Sequence, residues 1–184
     1  NRFHFGIGVS PWYEDFLATG ERWEKRGKRM DEQIDILKGL MDGDYFSYKG
    51  EFYDIPELKL CPVPTKPVPI LIGGHSKLAL KRAARIGDGW ISAGLTLDQT
   101  KDLIDQINLY RKEYDTLNHP NYQFQVMGEA AYSPDGIKKL EDLGATEVIV
   151  AFRNAYEGGA DERTLDGMIA EINWYAEEVI NKSK

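Results

Sequence analysis

The chain has 184 residues, 42% of them hydrophobic and 29% charged, which is typical of an ordinary soluble globular domain with a sizeable core. Its 30 acidic and 23 basic residues give a formal net charge of -7, which argues against nucleic acid or an anionic membrane as the main partner. The single cysteine, Cys61, excludes an intrachain disulfide and favours the cytoplasm, and no apolar run approaches the ~20 residues that a membrane helix needs.

Strand-then-helix units follow one another from the start of the chain. The first apolar run, Phe3-His4-Phe5, leads into Gly6-Ile7-Gly8, as a strand leads into a glycine turn. The first helix is predicted over residues 22–41, because apolar residues recur there at helical spacing. Its apolar stripe consists of Met30, Ile34, Leu37 and Met41.

A hairpin and a connector then interrupt this order. Two aromatic-rich runs, residues 45–48 and 51–55, flank Lys49-Gly50 and predict a small hairpin over residues 45–55. Prolines recur through residues 56–69. Because proline donates no main-chain hydrogen bond, this segment is predicted to be an extended connector.

The remainder of the chain returns to the strand-helix order. Strands are predicted over residues 68–72, 89–92, 122–127 and 146–152. Hydroxyl caps predict where the next three helices begin, namely Ser76, Thr96 and Ser133. A last helix carries an apolar stripe made of Leu165, Met168, Ile169, Ile172, Ala176 and Val179. The strict alternation of strands and helices predicts a parallel sheet with right-handed crossovers.

Two architectures have this order, an open doubly wound sheet and a closed (β/α)8 barrel. The strand count alone favours the open sheet, because a closed barrel needs about eight strands. However, Gly6-Ile7-Gly8 lacks the third glycine of the dinucleotide-binding signature, which argues against a Rossmann fold. The choice therefore stays open at the level of pattern alone.

The turn Gly73-Gly74-His75-Ser76 carries the clearest chemical signal. A strand that ends in two glycines and a hydroxyl cap presents free main-chain N–H groups and a helix N-terminus to one point, which suits an anion. Ser76 can cap the helix or donate its hydroxyl, and His75 can add a donor. The alternative is an ordinary tight turn with a serine cap.

Other candidate residues lie near strand ends. Small residues around Gly8, before Trp12, would let a flat ring lie against the first strand; a helix-free surface loop with a half-buried tryptophan fits equally well. Arg153 and Asn154 follow the last strand, either as a substrate clamp or as a solvated surface pair. Gly87-Asp88-Gly89-Trp90 is interpreted as a turn before a core tryptophan.

The sequence offers no self-contained catalytic set. The histidines, His4, His75 and His119, are scattered and have no acidic partner at ligand spacing, so no metal site is predicted. No serine lies in a nucleophile elbow, and Cys61 has no nearby base.

Taken together, five segments resemble the luciferase-like monooxygenase superfamily in residues, order and spacing. They are Arg2-Phe3-His4-Phe5-Gly6-Ile7-Gly8-Val9, residues 20–32, Tyr48-Lys49-Gly50-Glu51-Phe52-Tyr53, Gly73-Gly74-His75-Ser76 and Gly87-Asp88-Gly89-Trp90. The resemblance is detailed over the first half of the chain and extends over the rest only in the rhythm of strands and helices. It selects the barrel over the open sheet.

The resemblance implies an α/β fold of the (β/α)8 TIM-barrel type, present as a partial barrel of about five βα units. Phe3 resembles the start of the fourth strand, so residues 1–184 are similar to strands four to eight in a single partial-barrel domain. Three N-terminal units are expected to precede them. The hairpin at residues 45–55 resembles the insertion that the family carries near the cofactor mouth.

The resemblance also implies a function. Family members are oxidoreductases, including monooxygenases, that bind FMN or the deazaflavin coenzyme F420 at the carboxyl-terminal mouth of the barrel. Gly73-Gly74-His75-Ser76 matches the turn that holds the cofactor phosphate, and Gly8 is expected at the cofactor as well. Trp12, Ser92 and Arg153 are expected on the substrate side. The family's catalytic residues come largely from the first three strands, so none is carried over.

The leading hypothesis is a flavin-dependent enzyme for a small organic substrate, in which this chain anchors the cofactor phosphate and the hairpin serves as a lid. The alternative is a non-catalytic partial barrel that assembles with another chain. Five parallel units leave two open edges, and a homo-oligomer through these edges is expected. A sugar-phosphate enzyme on an unrelated barrel would need a lysine or paired carboxylates at strand ends, where only Glu129 is found.

Overall fold

The computed structural model describes residues 2–153 and 162–183. In chain order, the elements before the proline-rich segment are β1 (Phe5–Ile7), α1 (Tyr13–Thr19), α2 (Arg26–Met41), β2 (Phe46–Lys49) and β3 (Asp54–Leu58). Those after it are β4 (Ile70–Gly73), α3 (Lys77–Ile86), β5 (Gly89–Ile91), α4 (Leu97–Glu113), β6 (Gln123–Met127), α5 (Pro134–Asp142), β7 (Glu147–Ile149) and α6 (Leu165–Tyr175). A 3-10 turn at Glu129–Tyr132 precedes α5, and a π-helical turn at Ala176–Ile180 extends α6.

Five strands form one parallel sheet in the order β1-β4-β5-β6-β7. Ile72 of β4 lies opposite both Ile7 and Trp90, and Trp90 in turn lies opposite Phe124. Since all five strands run the same way, their carboxyl ends meet along one edge of the sheet. This confirms the predicted parallel order.

The core lies between the sheet and the helices that cover one of its faces. Ile72, Trp90 and Phe124 belong to one buried cluster with residues of α3 and α4 such as Leu80 and Ile107. Successive side chains of a strand point to opposite faces of the sheet, so Gln125, which follows Phe124, points to the other face. There Gln125 Nε2 donates to Glu147 Oε2 at 2.6 Å.

The helix starts follow the predicted caps. Ser76 Oγ accepts from Ala79 N–H, and Ser133 Oγ accepts from Gly136 N–H. Thr96 and Gln99 form a complete capping box at the start of α4. These local hydrogen bonds satisfy N–H groups that a helix leaves without an internal partner.

An ion pair fastens α2 to α3. Arg82 is 8% exposed, and its Nε lies 2.5 Å from Asp31 Oδ1. The same guanidinium donates to the carbonyl oxygen of Gly27 at 2.9 Å. A buried guanidinium needs such partners, because an unpaired buried charge is strongly destabilising.

The predicted hairpin is present but extends farther than expected. Its strands β2 and β3 are antiparallel, with Tyr48 opposite Ile55 and Lys49 opposite Asp54. The second strand includes Pro56, which the sequence assigned to the connector at residues 56–69. Proline is tolerated there because the sheet has only two strands, and β3 keeps a free edge.

Two helical elements differ from the sequence-based expectation. The segment after Trp12 contains the short helix α1, where a helix-free loop had been the alternative to a ring-binding turn. Gly20 ends α1 in the left-handed conformation, with a φ of 68°. The second helix begins at Arg26 and not at residue 22, because Lys25 has a φ of 57°, which is incompatible with a right-handed helix.

Candidate functional site

The predicted phosphate-binding turn lies at the carboxyl edge of the sheet and is open to solvent. Gly74, His75 and Ser76 are exposed, as are Lys77 and Leu78 in the first turn of α3. Among the described residues, no acceptor is found for the main-chain N–H groups of residues 75–78. We call these residues, together with Gly73 and Gly74, the cradle. These N–H groups lie at the positive end of the α3 dipole, which is the kind of position that can stabilise an anion.

Two hydrogen bonds from β5 and the loop after it hold the cradle. The buried indole of Trp90 donates from Nε1 to the carbonyl oxygen of Gly74 at 2.9 Å. The main-chain N–H of Ala93 donates to His75 Nε2 at 3.2 Å. Gly74 has a φ of 116°, a conformation that residues with a side chain rarely adopt.

The imidazole of His75 is neutral in this arrangement. Partial burial lowers the pKa of His75 from its ordinary value of 6.5, because the charged ring would lose hydration. Since Nε2 accepts from Ala93 N–H, the ring proton is on Nδ1. His75 can therefore donate to an anion through Nδ1.

Gly8, which the sequence predicts to be at the cofactor, lies next to Gly73 of the cradle. A side chain at Gly8 would lie 3.5 Å from the carbonyl oxygen of Gly73, and one at Gly73 would lie 3.4 Å from the carbonyl oxygen of Ile7. Both glycines lie at the carboxyl ends of adjacent strands, so their main chains approach each other closely at this edge of the sheet.

The Ser92 hydroxyl forms a hydrogen bond within the sheet. Ser92 is 5% exposed, and its Oγ accepts from Met127 N–H of β6 at 2.9 Å. Its own N–H donates to the carbonyl oxygen of Gln125. The hydroxyl expected on the substrate side thus links β5 to β6, and the wall of the neighbouring cleft begins one residue later, at Ala93.

A cleft of about 800 Å³ opens along the carboxyl ends of β5, β6 and β7. Its walls are formed by Ala93, Gly94, Leu95, Thr96, Gln99, Met127, Gly128, Glu129, Tyr132, Ala151 and Arg153. Arg153, one of the predicted substrate-side residues, therefore lies in this cleft together with the carboxylate of Glu129. Ala93 belongs to the cleft and also bonds His75, so the cleft and the cradle are contiguous.

Trp12 lies away from that cleft, directly before α1. Its side chain is 48% exposed, and its main-chain N–H donates to Ser10 Oγ at 3.1 Å. The other half of the predicted pair at the last strand, Asn154, lies outside the described residues.

In the described part of the chain, no group of three or more His, Cys, Asp or Glu side chains could hold a metal ion. The described helices also include none that is long and apolar enough to cross a membrane.

The tip of the hairpin is fastened to α2 by one carboxylate. Glu32 Oε1 accepts from Glu51 N–H at 2.6 Å, and Oε2 accepts from Phe52 and Tyr53 N–H at 3.0 and 3.1 Å. A side chain at Gly50 would collide with this carboxylate. An apolar cleft of about 510 Å³ lies between the hairpin, α2 and β1, with Tyr53, Ile55 and Gly8 in its walls.

Sequence reasoning did not identify Glu32, the bond from Trp90 or the role of Asp88. Asp88 Oδ2 accepts from Ile70 N–H, and Asp88 N–H donates to the carbonyl oxygen of Ile70, both at 2.8 Å. The sequence interprets the Gly87-Asp88-Gly89-Trp90 segment as a turn before a core tryptophan. The segment also joins β4 through the two hydrogen bonds between Asp88 and Ile70. The signal available in the sequence was that each of these residues lies in a segment that resembles the family.

The sequence profile described as luciferase-like monooxygenase matches residues 1–132 of this chain. An uncharacterized protein of Mycobacterium tuberculosis is 45% identical over 182 residues, which covers 99% of this chain and 62% of that protein. An FMNH(2)-dependent dimethylsulfone monooxygenase of Pseudomonas fluorescens is 34% identical over 103 residues, covering 54% of this chain and 28% of that enzyme. The chain thus spans 62% or less of the length of these relatives.

A solved structure has a similar fold. The coenzyme F420 dependent tetrahydromethanopterin reductase of Methanopyrus kandleri superposes with a TM-score of 0.69 at 13% sequence identity, covering 98% of this chain and 74% of that one. The likeness confirms the predicted fold class, an α/β fold of the TIM-barrel type. The relatives named here use FMN in one case and F420 in the other.

Proposed function

Because this chain belongs to the luciferase-like monooxygenase family, we propose that it holds the phosphate of FMN or coenzyme F420 in an oxidoreductase that acts on a small organic substrate. The observation that carries the proposal is the set of exposed, unpartnered N–H groups of residues 75–78 at the start of α3. When no anion is bound, only water can accept hydrogen bonds from these N–H groups.

The chain's residues fit a phosphate in three ways. Main-chain N–H groups bind the anion without a formal charge, which suits a protein whose net charge is -7. No described residue accepts from the Ser76 hydroxyl, whose oxygen is occupied by Ala79 N–H, so its proton is available to a phosphate oxygen. The Nδ1 proton of His75 adds a further donor beside the cradle.

Next to the cradle, the ring system of the cofactor would lie near the main chain of Gly8 and Gly73, at the carboxyl ends of β1 and β4. The bound flavin or deazaflavin would supply the hydride-transfer chemistry. This chain's own residues would anchor and orient the cofactor, and the neighbouring cleft would receive the substrate between Glu129 and Arg153. Trp12 lies away from that cleft, so a contact between Trp12 and the substrate would need a ligand that extends from the cleft to the β1 side.

The hairpin over residues 46–58 is proposed as a wall of the site that limits the access of water. The three bonds from Glu32 to its tip favour a fixed position over free opening. A closing lid would have to break these three hydrogen bonds.

We also propose that the protein is cytoplasmic, because Cys61, the single cysteine of this chain, is exposed and free.

A cofactor titration of the full-length gene product tests the proposed function. Cofactor fluorescence is recorded as the protein is added to FMN and, separately, to F420. We expect saturable quenching of one of the two and competition by inorganic phosphate. Absence of binding to both cofactors would contradict the proposal.

A second candidate, assembly with another copy, is favoured by one surface of the molecule. Leu165, Ile169 and Ile172 of α6 are 72%, 47% and 55% exposed and recur at the spacing of one helix face. Tyr175 at the end of α6 and Val179 in the π-helical turn after it are buried against the rest of the chain. An apolar face that is only half covered gains free energy when a partner covers the remainder.

A further inference from the structure

Trp90 connects the core of the molecule to the cradle. Its side chain is fully buried, at 0% exposed, between the sheet and the helices. A phenylalanine or leucine would serve such an apolar environment. Only the indole also presents a donor there, and Nε1–H donates to the carbonyl oxygen of Gly74 at 2.9 Å.

This bond fixes the orientation of the first peptide group in the cradle. The peptide between Gly74 and His75 is trans, so its carbonyl and its N–H point in opposite directions. Because the carbonyl is directed at Trp90, the N–H of His75 is directed away from the indole and the core. Gly74 has no side chain that could fix this peptide group instead, and a glycine can adopt a wide range of main-chain conformations.

The side chain of His75 is held by the same part of the fold. Its Nε2 accepts from Ala93 N–H in the loop that follows β5, the strand that contains Trp90. The ring centroids of His75 and Trp90 are 6.0 Å apart. Strand β5 and its loop therefore orient both the main chain and the imidazole of His75.

We infer that Trp90 is a positioning residue for the phosphate site: its indole N–H holds the Gly74 carbonyl so that the His75 N–H is preorganised towards the anion. This inference rests on the proposed function. Removing the indole N–H releases the peptide without removing any group that would contact the phosphate. The expected consequence is a loss of affinity confined to ligands that carry a phosphate.

FMN and riboflavin provide the test, since they differ only by the phosphate. Dissociation constants of both are measured for the full-length gene product and for its Trp90→Phe variant; for F420 the pair is the coenzyme and its deazaflavin core without the phosphate-bearing side chain. We expect the variant to bind FMN about three- to tenfold more weakly, as for the loss of one hydrogen bond, and riboflavin unchanged. Trp23→Phe, which removes an indole that packs on Phe16 and Arg26, is the matched control and should change neither constant.

A wild-type protein that binds its cofactor, FMN or F420, no more tightly than the phosphate-free counterpart has no phosphate site, and the proposed function is then wrong. A wild-type preference for FMN that survives unchanged in Trp90→Phe overturns the role of Trp90 alone. If that variant does not fold, benzothienylalanine at position 90 keeps the bicyclic shape without the N–H and gives the same comparison.

Discussion

The Ser76 hydroxyl has two roles if the proposed function holds. Its oxygen accepts from Ala79 N–H as the cap of α3, and its proton would be donated to a phosphate oxygen. We predict that Ser76→Ala costs about 0.5–2 kcal/mol of unfolding free energy, as the loss of a helix cap does. In addition, FMN or F420 should bind about tenfold more weakly, because a hydrogen bond to a charged group is lost. Urea unfolding and cofactor titration measure the two effects.

Ser133→Ala is the matched control for this experiment, because Ser133 caps α5 in the same way, through Gly136 N–H at 3.1 Å. It should cost similar stability and leave cofactor affinity unchanged. Equal affinity losses in both variants would mean that Ser76 acts only as a cap.

His75 gives the site a dependence on pH whose sign follows from burial. Its pKa in the folded chain lies below the ordinary 6.5, so the unfolded chain binds a proton more readily. The stability that depends on neutral His75 is therefore complete above pH 6.5 and is lost as the pH falls below that value.

Unfolding free energies at about pH 7.5 and about pH 5.5 measure this loss. His75→Gln should reduce it, because an amide oxygen can accept from Ala93 N–H without titrating. The exposed His4 provides the control variant, His4→Gln, which should behave like the wild type. A pH dependence unaffected by His75→Gln would show that other groups cause it.

At the scale of elements, one carboxylate holds the hairpin in place. Replacing Glu32 with glutamine should make the amides of Glu51, Phe52 and Tyr53 exchange with solvent about tenfold faster, since one amide oxygen cannot replace two charged oxygens. Hydrogen exchange read by mass spectrometry or NMR detects this. Glu24→Gln, at an exposed carboxylate before α2, should leave those amides protected. Unchanged protection in Glu32→Gln would mean that packing, not the carboxylate, holds the tip.

The elements that sequence predicted well are those determined by neighbouring residues. The caps at Ser76, Thr96 and Ser133 act over three positions, so the pattern that predicts them is also the cause of the helix start. Helix α1 has no side-chain cap, and Phe16 packs against Trp23 in the next segment, which a local pattern does not reveal. The cradle was predicted for the same local reason, because its glycines and its serine are consecutive.

The supports of the cradle could not be predicted in this way. The bond from Trp90 to Gly74 spans 16 positions and joins an indole to a main-chain carbonyl, which no side-chain pattern encodes. Ser92 illustrates the converse. Its position after a strand suggested a substrate contact, but the register between β5 and β6 places its hydroxyl on Met127 N–H.

For the whole molecule, the feature that bears on self-association is the exposed apolar face of α6. We predict that the 184-residue chain self-associates and that Ile169→Glu shifts it towards the monomer, because a charge on this face must be desolvated on association. Light scattering coupled to size-exclusion chromatography measures the mass. Leu109→Glu, which changes an exposed leucine of α4, is the control and should not change the measured mass. A wild-type chain that remains monomeric would contradict the assembly hypothesis.

The proposed function requires the main-chain N–H groups of residues 75–78 to bind the phosphate of the cofactor. Amide chemical shifts of the 15N-labelled full-length gene product, recorded with FMN and with riboflavin, test it most directly, with F420 and its phosphate-free core as the corresponding pair. We expect the amide resonances of His75, Ser76, Lys77 and Leu78 to shift downfield with the phosphate-bearing ligand and to stay unchanged with the phosphate-free one. Binding of the phosphate-bearing ligand without any shift at these amides would contradict it.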